Sequence, residues 1–379
     1  MRIAVVNYAY DESIREPDQL LDRYSTLTGW SDAIAAAGCV VAVAQRFHKD
    51  ARIVRQSCEY VFCEDGARGD PRTKLWPHRL HRRVKDLRPD LVHVNGLNVP
   101  IQTWLLRRSL PSSIPIVVQD HGGIESPRRD FVRRLAMQAP DAFFFTAAAQ
   151  ASRWREAGLI AVNQPVHQVL EASTGIRSVD RTAARRATGI EGDPAVLWVG
   201  RLNANKDPLT VLEGFEIAIA HLPNARLTMI YGTADLLPAV RERIAGSTAL
   251  AGRVTLAGAV AHERMSDFYS AADLFILASH HEGSGYALLE ACACGLSPVV
   301  TDIPAFRAIT GDGAIGALWP NGNARACAEA LITASARERS AARQAVLDHF
   351  DRALSWPAIA RQASEAYAGI LAAVVAGAG

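Results

Sequence analysis

Leu274-Phe275-Ile276-Leu277-Ala278-Ser279-His280-His281-Glu282-Gly283-Ser284-Gly285-Tyr286-Ala287-Leu288-Leu289-Glu290-Ala291-Cys292-Ala293-Cys294-Gly295 reads as a buried strand, a glycine turn and a helix. Five apolar residues without a polar interruption suit a strand covered on both faces, as in a parallel sheet. Gly283 and Gly285 give the tight turn, and Gly295 is placed to cap the helix C-terminus. The free N–H groups at the start of such a helix, beginning with those of Ser284 and Gly285, favour an anion. Glu282 and Glu290 sit too close to that anion site to be phosphate ligands. Carboxylates accept hydrogen bonds from sugar hydroxyls, so the pair suits a phosphate flanked by sugars. Glu290 lies among Ala287, Leu288, Leu289, Ala291 and Ala293, and a charge in that company requires a partner.

Outward from this stretch the same rhythm repeats. Strands are expected at Arg2–Asn7, Val40–Ala44, Leu91–Val94, Ile116–Gln119, Ala142–Thr146, Ala195–Val199, Arg226–Tyr231, Val254–Leu256 and Pro298–Thr301, with helical stretches between them. Buried strands alternating with helices indicate an α/β protein with parallel sheets. At 379 residues the chain is long enough for two domains. The rhythm pauses at Gln164-Pro165-Val166-His167 and resumes at Ala195, which puts the boundary near 168. The expected division is 1–168, 169–355 and a last segment, 356–379. In that segment Trp356, Ile359, Ala363, Tyr367, Ile370, Leu371 and Val374 follow helical spacing. Such a helix either crosses back to the first domain or packs only on the second.

A second loop follows the Ala195–Val199 strand: Gly200-Arg201-Leu202-Asn203-Ala204-Asn205-Lys206-Asp207-Pro208. Gly200 allows close approach of a ligand, Asp207-Pro208 starts a helix, and Arg201 and Lys206 can converge on one anion. The glycine-rich phosphate loop Gly-x4-Gly-Lys-Ser/Thr is not present, so two solvated surface cations remain the alternative.

Composition narrows the class. Hydrophobic residues make up 49% and charged residues 21%, as in globular proteins. No stretch reaches the roughly 20 apolar residues of a membrane span. Met1–Val6 is shorter than a signal peptide and reads as a first strand. The expected location is cytoplasmic, or peripheral at the inner face of a membrane. Cys39, Cys58, Cys63, Cys292, Cys294 and Cys327 lack zinc-site spacing, and Cys292 and Cys294 read as small packing residues. Net charge is +2, yet residues 1–165 carry 23 Lys or Arg against 18 Asp or Glu. The excess lies at Arg68–Arg88 and at Arg128, Arg129, Arg133 and Arg134. These are solvated helix faces or a surface for anionic lipid or an acidic acceptor. No nucleic-acid partner is expected.

Gly200-Arg201-Leu202 with Lys206, followed by Glu282 and Glu290 at E-x7-E spacing, resembles the retaining glycosyltransferases of family 4. The likeness is most specific over Gly200–Val300. It implies the GT-B fold, two Rossmann-like domains with parallel sheets facing across a cleft, and transfer of a hexose from a nucleotide-diphosphate sugar with retention of configuration. It also implies roles. Arg201 and Lys206 would hold the diphosphate and stabilise its departure, Glu290 would bind the ribose, and Glu282 the donor hexose. The N–H groups of Ser284 and Gly285 would lie at the distal phosphate, with Gly283 of the turn in the donor-binding set. Ala257-Gly258-Ala259-Val260 resembles the segment whose backbone reads the base, so Gly258 and Val260 join the donor set.

Gln119-Asp120-His121-Gly122-Gly123 matches the family's His-Gly pair, which assigns His121 to the donor sugar from the first domain. Family members need no divalent metal, and the site segments offer no Asp-x-Asp pair. No metal and no cofactor are therefore expected beyond the nucleotide sugar, with UDP- or GDP-sugar as the leading donors. Asn95 and Gly96, after the Leu91–Val94 strand, are acceptor candidates. Gly29 stands where relatives carry adjacent glycines, and the family's glutamate after Val299–Thr301 is missing. The acceptor would be a glycan, a lipid-linked hydroxyl or a small molecule. Two rivals share the fold expectation: a nucleotide-sugar epimerase, and a non-catalytic partner-binding subunit.

Overall fold

The computed structural model of the chain describes residues 1–66, 76–122 and 131–377. It forms two compact units: Met1–Ser173 together with the C-terminal segment from Trp356, and Thr174–Ser355. The division falls after Ser173, where the sequence reading placed it at 168.

The sheet of unit 1 contains β1 (Arg2–Asn7), β2 (Val40–Phe47), β3 (Ala51–Arg55), β4 (Cys58–Glu64), β5 (Leu91–Asn95), β6 (Ile116–Gln119), β7 (Ala142–Phe145) and β8 (Val166–Gln168). Their order is β3-β4-β2-β1-β5-β6-β7-β8, parallel throughout except for β3 against β4. The sheet of unit 2 contains β9 (Ala195–Gly200), β10 (Arg226–Tyr231), β11 (Val254–Gly258), β12 (Leu274–Leu277), β13 (Ser297–Thr301) and β14 (Ala317–Trp319). Its order, β11-β10-β9-β12-β13-β14, is parallel throughout. Strands β6, β7, β12 and β13 are buried along their whole length, which accounts for their unbroken apolar runs.

Three features depart from the sequence reading. The β3–β4 hairpin turns at Gln56–Ser57; its edge strand β3 carries Arg52 and Arg55 and alternates half-buried with exposed residues. Strand β8 occupies part of the pause at Gln164–His167, because a three-residue edge strand leaves no periodic trace. Strand β14 is equally short.

Each sheet reverses its direction of winding at one point. In unit 1 the chain passes from β1 to β2 on one side and reaches β5 on the other. In unit 2 the corresponding neighbours are β9 and β12. Ligands in doubly wound sheets bind outside the carboxyl ends of the strands at such points.

The helix Trp356–Gly377 belongs to unit 1 and packs on the helix Ser25–Ala36. Its buried stripe is Ile359, Ala363, Tyr367 and Ile370. The Tyr367 ring stacks on Phe144 with centroids 5.3 Å apart, and its hydroxyl lies 2.7 Å from His93 Nδ1. Burial holds the His93 imidazole down to about 3, with the His121 charge adding, so His93 stays neutral. Among the described residues no helix is long and apolar enough to cross a membrane.

Candidate functional site

In unit 2 the loops after β9 and β12 are tied together by one side chain. Asn205 Nδ2 donates to the His281 carbonyl at 3.0 Å, and its Oδ1 accepts from the His281 N–H at 3.2 Å. The Asn205 carbonyl accepts from the His280 N–H at 2.8 Å. Asn203 caps the short turn Ala204–Lys206, accepting from the Lys206 N–H at 3.1 Å. Asp207, at φ 41°, caps the helix Pro208–Ala218 and accepts from Thr210 Oγ1 at 2.7 Å. His280 Nε2 lies 3.3 Å from the same carboxylate.

This stitching brings Lys206 Nζ onto Glu282 Oε1. Both side chains are only 12% exposed, so the pair sits in a medium where charge interactions are strong. Gly200 lies beside the Lys206 stem, half-buried, while Arg201 is exposed and its guanidinium has no hydrogen-bond partner among the described residues. The loop thus presents one paired and one unpaired cation. The sequence reading treated Lys206 and Glu282 as separate contacts. They are a part-buried ion pair, a relation that a separation of 76 residues hides.

Gly283 is half-buried in the turn and Ser284 is buried behind it. Gly285 begins the helix Tyr286–Ala293 at φ 58°; a Cβ there would lie 3.0 Å from the Phe306 ring, so both conformation and packing call for glycine. The helix ends as the sequence suggested. Gly295 N–H reaches the Cys292 carbonyl and Leu296 N–H the Ala291 carbonyl, the Schellman pairing.

Glu290, inside this helix, finds its partner in Tyr269, whose hydroxyl donates to Oε2 at 2.8 Å. Burial raises the Glu290 carboxyl, against the Tyr269 hydrogen bond and the His262 charge, which lower it. The partner was not readable from sequence, since Tyr269 reads as one more apolar residue of its helix. On the other side of β9, β11 ends in Gly258, with φ 69° at a register shift against β10, and Val260 follows half-buried.

In unit 1 the loops at the winding reversal form a cavity of about 390 Å³. Asn7, Tyr8, Asn95, Gly96, Asp120 and His121 are among its lining residues. The His121 side chain, 32% exposed, is held on both ring nitrogens: Nδ1 meets Glu171 Oε2 and Nε2 meets Asn95 Oδ1. Two oxygen acceptors require two N–H donors, the protonated imidazolium. Burial opposes that charge, but Glu171 and Asp120 outweigh it and raise the imidazole above its ordinary range. Asp120 is 5% exposed; burial, with the Glu171 charge adding, pushes its carboxyl up to about 6 against Arg153 and His121. Glu171, three residues beyond β8 and 4% exposed, carried no signal in the sequence.

Asn95, Gly96 and His121 therefore come together, and Gly29 does not join them. It lies within the helix Ser25–Ala36, where a Cβ would fall 2.5 Å from the Trp356 ring. Its missing side chain serves helix packing. Gly123, Arg68 and the pair Arg128 and Arg129 lie outside the described residues. Of the remaining basic runs, Arg79 pairs with Asp50 and Glu64, and Arg83 approaches Asp50 at 3.4 Å. Among the described residues no group of three His, Cys, Asp or Glu is placed to hold a metal ion.

The chain has relatives among known proteins. Residues 180–345 match the family described as Glycosyl transferases group 1. The chain is similar to the mannosylfructose-phosphate synthase of Agrobacterium fabrum, 35% identical over 33% of this chain and 29% of that protein. It is also similar to the GDP-mannose:cellobiosyl-diphosphopolyprenol alpha-mannosyltransferase of Xanthomonas campestris, 23% identical over 69% of this chain and 74% of that one. A D-inositol 3-phosphate glycosyltransferase of Thermobispora bispora is 29% identical over 50% and 47%. The chain thus spans less than half the length of the first and third of these relatives. In fold it resembles a sucrose-phosphate synthase from Thermosynechococcus elongatus, with TM-score 0.70, 20% identity and coverage of 98% and 99%. Anabaena HepE, solved in complex with UDP and glucose, aligns at TM-score 0.66 and 15% identity over 97% and 100%. Residues 180–345 match the group 1 glycosyl transferases, and the chain as a whole has the GT-B fold.

Proposed function

We propose that the chain transfers a hexosyl group from a nucleotide-diphosphate sugar to an acceptor hydroxyl, with retention of configuration and without a metal ion. The observation that carries this reading is the Lys206–Glu282 pair, set beside the exposed Arg201 at the winding reversal of unit 2. A diphosphate entering there meets two cations, and the carboxylate is left beside the sugar that follows it. Arg201 and Lys206 bind the diphosphate and stabilise the charge that grows on it as the glycosidic bond breaks. Glu282 accepts hydroxyls of the hexose, and Glu290, steadied by Tyr269, accepts those of the ribose. The backbone around Gly258 and Val260 meets the base.

The acceptor oxygen bonds to the anomeric carbon on the face that the diphosphate leaves. Its proton passes to a phosphate oxygen of the leaving group, so no protein nucleophile takes part. The cavity at Asn95 and Gly96 receives the acceptor. The Xanthomonas campestris relative's name mentions both GDP-mannose and a lipid-linked diphosphate, and HepE was solved with UDP, which keeps UDP- and GDP-sugars as leading donors and a lipid-linked hydroxyl among the acceptors.

A thermal-shift panel of UDP, GDP, ADP and dTDP, with and without magnesium, tests the donor half. At about a hundred times its dissociation constant the right nucleotide adds roughly 2.7 kcal/mol. We expect one base to act, independently of magnesium, and Lys206→Ala to abolish the shift. No response to any of the four would remove the donor assignment.

A further inference from the structure

Unit 2 contains another cavity, of about 230 Å³, at the opposite end of its sheet, where β9, β12 and β13 begin. The six-residue β9 separates it from the Arg201 loop by about 17 Å. Its wall includes Arg181, Arg337, Arg339 and Arg343 against a single carboxylate, Asp273.

That carboxylate is fully engaged. Arg181 donates to Oδ1, Arg185 to Oδ2 at 3.2 Å, and the Ala195 N–H to Oδ2 at 2.8 Å. Arg339 is taken by Asp193. Glu338, next in sequence, caps the helix Arg339–His349, accepting from the Ser340 and Ala341 N–H groups. The guanidinium groups of Arg337 and Arg343 are left without an ion-pair or hydrogen-bond partner among the described residues. Arg181 Nε is buried and likewise unpartnered. Burial, and then the neighbouring Arg181 charge, lower Arg185 below its ordinary range, as expected where cations crowd.

We propose that this cavity is an anion site, taking a diphosphate or the phosphate of a small phosphorylated molecule, distinct from the donor loops. Arginine forks match phosphate oxygens two at a time, and the unpartnered donors here converge on a space that size. The inference stands on the arginine cluster alone and is independent of the glycosyl-transfer reading.

The test uses calorimetric titration of the full chain with inorganic pyrophosphate and, separately, ribose 5-phosphate, in the background Arg201→Ala/Lys206→Ala, which silences the donor loops. We expect one equivalent of at least one of these ligands to bind there, weakening with salt. Adding Arg337→Gln/Arg343→Gln should weaken it at least 10-fold, while UDP or GDP binding to the chain with intact donor loops stays within twofold. Which ligand binds tells free diphosphate from phosphate monoester. If the double change disturbs folding, the exposed Arg337→Gln alone should still weaken binding several-fold. Absence of binding at millimolar ligand, or binding indifferent to these arginines, would overturn the proposal.

Discussion

Asp120 is a site residue whose chemistry departs from its ordinary behaviour. Its native carboxyl ionises near 6, whereas in the unfolded chain it ionises near the usual 3.8. Between those values the native state holds a proton that the unfolded state has lost, so stability falls as pH rises through that window. The full cost above pH 6 is about 3 kcal/mol. Asp120→Asn should remove that dependence: its melting temperature, followed from pH 4 to 7, should fall less than that of the parent chain. Equal slopes would show that Asp120 is not the group responsible. His121, with its raised imidazole, acts in the same sense; its contribution is present below about 6.5 and fades as pH climbs through the native value. At this scale the sequence showed which residues share one loop after a strand and was blind to partners from elsewhere. His121, Lys206 and Glu282 announced themselves through glycine turns after apolar strands. Glu171, Tyr269 and Asn205 did not, because each acts through a tertiary contact that no local pattern encodes.

Among the elements, the pairing of the helices Ser25–Ala36 and Trp356–Gly377 is the most exposed to a single change. Gly29 leaves room for the Trp356 indole, and any Cβ there forces the ring or the helix to move. Gly29→Ala should cost about 1–3 kcal/mol through overpacking. For a unit of this size that lowers the melting temperature by several degrees. Trp356→Leu in the same chain should recover part of the loss; no recovery would place the strain elsewhere. The apolar stripe of the last helix was plain in the sequence, but its destination was not, since a stripe specifies a face and not the surface it meets. The same limit hid β8 and β14. Three residues are too few to show a period, whereas the longer strands and their parallel order followed from unbroken apolar runs.

For the whole molecule, the composition of unit 1 matters most. It is completed by residues from both ends of the chain, and Ile359, Tyr367 and Ile370 lie in its core. Removing everything after Ser355 strips away, among other buried residues, these three large side chains, worth roughly 1.5–3 kcal/mol each. That sum is comparable with the whole stability of an ordinary domain. Limited proteolysis of the shortened chain should therefore cut within 1–173 and spare 174–355, which should keep its nucleotide response. Protection of both parts would mean that the last helix is dispensable to unit 1.

The same arrangement sets an order of events on the ribosome. Domains made from one continuous stretch fold in the order in which they are synthesised. Here unit 2 has its entire sequence once residue 355 is out of the exit tunnel, while unit 1, begun first, still waits for Tyr367 to close over Phe144 and His93. The earlier-made half is thus finished last, and for the time it takes to translate more than 180 residues its apolar sheet face is one that a chaperone would recognise.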